Sequence, residues 1–77
     1  MTHLFKVSLQ FADMFISKLD FESQMIQFQI RDKETGVTME SESHVKFIVN
    51  ELDQKIYMGS RFIDLRLALL ISTTLNS

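Results

Sequence analysis

Between Gln24 and Glu42 the chain alternates. Ile26, Phe28 and Ile30 are interleaved with Gln27, Gln29 and Arg31, and after Asp32-Lys33-Glu34-Thr35-Gly36 the alternation resumes with Val37 and Met39 against Thr38 and Glu40. A period of two marks a half-buried strand. A charged loop ending in Gly supplies the type I turn and left-handed position that reverse a chain. The pattern predicts a β-hairpin over residues 24–42, with Ile26, Phe28, Ile30, Val37 and Met39 on its inner face.

From Ser43 onward the period lengthens. Val45, Ile48, Val49, Leu52 and Ile56 fall on one helical face, with Lys46, Asn50, Glu51, Asp53 and Gln54 elsewhere. Ser41 or Ser43 can cap the start, Glu40 and Glu42 suit the positive end of the dipole, and Glu51–Lys55 adds roughly 0.2–0.5 kcal/mol. Gly59 can end this helix in the left-handed conformation and Ser60 can cap the next. The second segment, Arg61–Leu75, carries Phe62, Ile63, Leu65, Leu67 and Leu69–Ile71 around most of its circumference. Such a helix must be covered on nearly all sides, and a second copy is the simplest cover. Phe62, Leu65, Leu69 and Met58 are the candidate self-association residues. Leu65, Leu67, Leu69 and Ile71 also alternate as in a buried strand, but the helix propensity of Leu and Ala favours helix.

The beginning of the chain admits two readings. Phe5, Val7, Leu9 and Phe11 alternate with Lys6, Ser8 and Gln10, whereas Phe11, Met14, Phe15 and Leu19 repeat at helical spacing. Either a strand runs into a short helix over Gln10–Leu19, or one helix spans about His3 to Leu19. The architecture expected is α+β: one small domain over residues 1–77, an antiparallel hairpin covered by two C-terminal helices, with a short N-terminal helix.

Composition narrows what such a domain does. A chain of 77 residues buries only about 60% of its unfolded surface. A 45% hydrophobic share with seven Phe is generous for that size, which points to apolar surface shared with a partner. There is no cysteine, so neither a disulfide framework nor a thiolate metal site is expected, in keeping with a cytoplasmic location. Lys6 and Asp13 interrupt the N-terminal apolar run as no secretory leader would. Arg61–Leu75 falls short of the about 20 apolar residues of a membrane span.

No catalytic constellation stands out. His3 and His44 are far apart, and Glu42–His44 is the one acid–base couple the sequence offers, without a nucleophile beside it. Glu34, Glu40 and Glu42 lack the oxygen-rich loop spacing of a calcium site and read as a solvated acidic face, a candidate partner surface. No cofactor or metal is expected, and no enzyme activity. The order strand, helix, helix is similar in outline to a ribbon-helix-helix DNA-binding regulator. Its outward side chains would be Thr38 and Glu40, however, and a net charge of −2 opposes the phosphate field.

Leu52-Asp53-Gln54-Lys55-Ile56 and Leu67-Ala68-Leu69-Leu70 through Asn76, following the Ile26–Met39 hairpin, resemble the globular head of the ZapA family of bacterial cell-division proteins. The resemblance spans Ile26–Asn76 and implies a cytoplasmic dimer or tetramer that cross-links filaments of a tubulin-like protein. The residues by themselves imply less: a small acidic regulator, a homodimer that binds a larger protein partner; a bacterial or phage accessory protein would fit that composition, though no residue shows it.

Overall fold

The structure, a computed structural model, describes residues 4–76, apart from the side chains of residues 40–42. A four-stranded antiparallel meander comes first: β1 (Phe5–Ser8), β2 (Ala12–Asp20), β3 (Met25–Asp32) and β4 (Thr38–Lys46), paired in that order. A three-stranded meander follows, β5 (Ile48–Asn50), β6 (Lys55–Met58) and β7 (Arg61–Asp64), and then α1 (Leu65–Leu75). One core joins both sheets and the helix. The α+β class holds, but one C-terminal helix is present among the described residues where two were expected.

The hairpin prediction fares best. Ile26, Phe28 and Ile30 are buried. Gly36 has φ +73°, and its N–H donates to the Asp32 carbonyl at 2.9 Å, while the Asp32 N–H reaches the Val37 carbonyl. Val37 and Met39 are corrections, because both are exposed. On β4 the register slips between Ile30↔Glu40 and Arg31↔Thr38, and Met39 is the additional residue. A bulge of this kind re-aims the side chains around it, and β4 is an edge strand, where bulges concentrate.

The N-terminal helix expected over Gln10–Leu19 is β2 instead. Its buried positions are Ala12, Met14, Ile16 and Leu19. A register shift between Ile16 and Lys18 accommodates Ser17, whose Oγ donates to the Gln27 carbonyl at 3.3 Å. The inward set therefore jumps by three after Ile16. That jump imitates helical spacing in a strand.

The helix expected over Ser43–Met58 is not formed. Ser43–Lys46 completes β4, Phe47 crosses between the sheets, and Asn50–Gln54 turns β5 into β6. Val45, Ile48, Val49 and Ile56 are β-branched, which suits a pleated surface better than a helix. Phe47 is fully buried, edge-on to Phe21 at 5.2 Å between ring centroids, and its N–H donates to the Gln24 carbonyl at 2.8 Å. Sequence periodicity had assigned Phe47 to no face. The turn is held by the Asp53 N–H on Asn50 Oδ1 and by Gln54 at φ +55°, and Leu52 stands 98% exposed on it. Gly59, at φ +64°, serves the β6–β7 hairpin rather than a helix end; Gly at the first central position is what a type II′ turn needs.

Arg61–Asp64 is likewise strand, and helix begins only at Leu65, whose N–H donates to the Gln54 carbonyl at 2.8 Å. Ala68 and Ile71 are buried, Leu65, Leu67 and Leu75 pack partly against the core, and Leu69 and Leu70 face outward. The helix also bonds to the first sheet. β1 pairs only with residues 13–16 of β2, and beyond its end the Leu19 carbonyl accepts from Ser72 Oγ at 3.2 Å and Asn76 Nδ2 at 3.4 Å.

Candidate functional site

At the opposite end of β2 the core comes to the surface. The β1–β2 turn is closed by the Leu9 N–H on the Ala12 carbonyl at 2.9 Å, which turns Leu9 towards the core and leaves Phe11 outside. Lys33 ties the β3–β4 loop to this turn: its N–H meets the Phe11 carbonyl at 3.4 Å and its Nζ donates to Ser8 Oγ at 2.6 Å. The Gly59-Ser60 turn brings Arg61 and Phe62 alongside.

These segments enclose a groove of about 550 Å³ lined by Leu9, Phe11, Ala12, Ile30, Met39 and Phe62, with Gln10, Ser60 and Arg61 as its polar members. That volume is in the range of small-ligand and peptide pockets. Phe11 is 76% exposed, Met39 62% and Phe62 50%. A second hollow, about 500 Å³, shares Gln10, Phe11 and Met39 with the first and is bordered by Asp32, Lys33 and Glu34. Phe11 thus lines two hollows. Large apolar side chains exposed together, unlike single ones scattered over a surface, mark an interaction site.

Neighbouring contacts hold the groove's walls. The Phe62 ring stands 5.9 Å from that of Tyr57 and carries Lys55 Nζ 4.5 Å above its face. Tyr57 donates its hydroxyl to Asp53 Oδ2 at 2.9 Å, and that bond raises the Tyr57 pKa above the usual phenol value. On the outer face of the first sheet Lys6 pairs with Asp13 at 3.7 Å and the Arg31 guanidinium lies 4.8 Å over the Phe15 ring. Asp13 Oδ1 and Arg31 Nε are enclosed there without a hydrogen-bond partner, on residues that face each other across β2 and β3.

The sequence-derived candidates are scattered. Phe62 lines the groove, Leu69 is on the outward side of α1, Leu65 is half-buried beneath it, and Met58, 5% exposed, belongs to the chain's own core. Glu34 is exposed at the second hollow; Glu40 and Glu42 lie on β4 with side chains outside the described residues. His44 is exposed on β4 opposite Gln27, and His3 lies outside the described residues. Among the described residues no cluster of three or more His, Asp or Glu is placed to hold a metal ion. Leu52–Ile56, which carries part of the ZapA-like resemblance, is turn and strand, and the helix pair of a ribbon-helix-helix arrangement is not formed.

Sequence reasoning missed Phe11 and placed Met39 on the wrong face. The one available signal was the cluster Leu9-Gln10-Phe11-Ala12, where alternation falters, as it does at a turn. No helix of the described residues is long and apolar enough to cross a membrane. No family model matches the chain, and comparisons with curated proteins and with solved structures find no match either.

Proposed function

We propose that this chain is a non-catalytic protein-recognition module whose binding site is the Phe11–Met39–Phe62 groove. One observation carries the reading: three large apolar side chains, from a turn, a bulged edge strand and a short strand, are exposed and converge on one hollow. An exposed aromatic costs solvation that folding alone does not recover, and interface centres are enriched in Phe and Met. The groove's floor, Ala12 and Ile30, belongs to the rigid core, so the site is preformed and binding requires little ordering.

The test compares proteins captured by the wild-type chain with those captured by Phe11→Ser and Phe62→Ser, after confirming by thermal melting that both variants fold. Loss of a captured protein with both variants supports the reading. Identical capture by all three chains removes the groove as the recognition site.

A further inference from the structure

The methionines of this chain sit in unlike surroundings. Met14 is fully buried, Met58 is 5% exposed and Met25 is half-buried, whereas Met39 is 62% exposed. The bulge on β4 puts it there, as the additional residue between Thr38 and Glu40. Met39 also lines both hollows together with Phe11. The chain has no cysteine, so any reversible oxidation of sulfur falls to methionine. We infer that Met39 is an oxidation site through which peroxides set the apolar character of the groove; the inference rests on the groove being a protein-recognition site.

The step needs only a peroxide from outside the chain. A lone pair on Met39 Sδ attacks one oxygen of hydrogen peroxide, and the S–O bond forms as the O–O bond breaks. The second oxygen leaves as water, carrying both protons. The sulfur is oxidised by two electrons and the peroxide reduced by two. The product, a sulfoxide, is returned to the thioether by thiol-dependent reductases.

Position gives the reaction its consequence. An oxidised sulfur on a polar, solvated part of the surface would change little. At Met39 a flexible apolar side chain among Phe11 and Phe62 becomes a strongly dipolar one. A partner covering the groove must then strip water from the sulfoxide oxygen, which costs free energy unless a new hydrogen bond replaces it. The reduced groove is thus the binding form and the oxidised groove the weakened one.

The test treats the folded chain with hydrogen peroxide and follows each methionine by peptide mass spectrometry. Met39 should gain its oxygen at least about tenfold faster than Met14 or Met58, whose sulfurs react only when the core opens. Hydrophobic-interaction chromatography of the folded chain reads the consequence. The oxidised wild type should elute earlier, a methionine sulfoxide reductase with a dithiol should restore its position, and peroxide-treated Met39→Leu should not move. Equal rates at all methionines, faster oxidation of Met25, or an elution shift that persists in Met39→Leu overturns the site. Oxidation of Met39 that leaves elution unchanged overturns its control of the groove. The capture experiment separates the two readings. Capture indifferent to Phe11→Ser and Phe62→Ser removes the recognition site and leaves the oxidation of Met39 standing. Capture that needs both rings but is unchanged by oxidation overturns the control alone.

Discussion

The two ends of β2 have the same kind of apolar residues and opposite fates. At the Leu19 end, Phe21 and Phe47 meet edge to face, and Ser72 and Asn76 of the helix bond to the Leu19 carbonyl. Every large ring there is turned inward or half-buried. At the Ala12 end, Phe11, Met39 and Phe62 stand out around a hollow. The closed end has a second layer, helix and crossing strand; the open end has only turns. Burial of an aromatic therefore depends on whether an element crosses above it, and residue type does not decide it.

The largest expected effect lies at the closed end. Phe47→Ala removes a fully buried ring at the only crossing between the sheets among the described residues. Such a deletion costs about 3–5 kcal/mol through lost transfer energy and the cavity left behind. A chain of 77 residues is expected to have roughly 4–12 kcal/mol in all. Urea unfolding should find Phe47→Ala unfolded or nearly so; a loss under about 1 kcal/mol would mean that Phe47 does not join the two layers.

Ser72→Ala is the next test, and it addresses the helix as a lid. The Ser72 hydroxyl donates to the Leu19 carbonyl, so its removal should cost about 1 kcal/mol, the net value of one such bond. Asn76 Nδ2 reaches the same oxygen and should soften the loss, so Ser72→Ala with Asn76→Ala should exceed either alone. Equal stability of all these variants would show that water serves the Leu19 carbonyl as well as the helix does.

Phe11→Ser carries the comparison to the open end, where the same class of residue should matter little for folding. With the ring mostly exposed, the change in unfolding free energy should stay within about 0.5 kcal/mol. A loss approaching that of Phe47→Ala would make Phe11 a core residue and the groove an accident of packing.

What the sequence made legible follows the same division. Ile26, Phe28, Ile30 and the Asp32–Gly36 turn were readable because β3 keeps a strict period of two and the turn needs a left-handed Gly. β2 was unreadable as a strand because the shift at Ser17 changes its period halfway along. The stretch Ser43–Met58 misled for a related reason: strand, crossing residue, strand and turn, each a few residues long, together space Val45, Ile48, Val49 and Ile56 like one helix. The groove was legible only in Phe62. Phe11 and Met39 owe their exposure to a turn and a bulge, and neither leaves a periodic trace.

The smallest effect contrasts the two loops that close the ends. At the open end the β3–β4 loop combines Gly36 and its backbone bonds with two side-chain acceptors, Asp32 Oδ1 for the Glu34 N–H at 3.0 Å and Thr35 Oγ1 for the Val37 N–H at 3.2 Å. At the closed end Asp20 holds the β2–β3 turn: its Oδ2 accepts from Ser23 Oγ at 2.8 Å and its Oδ1 from the Glu22 N–H at 3.1 Å. The Ser23 bond first, and the Glu22 bond second, hold the Asp20 carboxyl below the usual aspartate value. A carboxylate whose pKa is lower folded than unfolded contributes stability above its unfolded pKa, and that contribution fades as pH falls through the folded value. Asp20 lies at the surface, where solvent screens it, so the contribution is slight and is better read from the titration itself than from unfolding. Carboxyl chemical shifts followed by NMR should show the Asp20 midpoint moving up in Ser23→Ala, towards that of an ordinary aspartate. An Asp20 midpoint that does not move would show that the Ser23 bond does not set the Asp20 carboxyl's pKa.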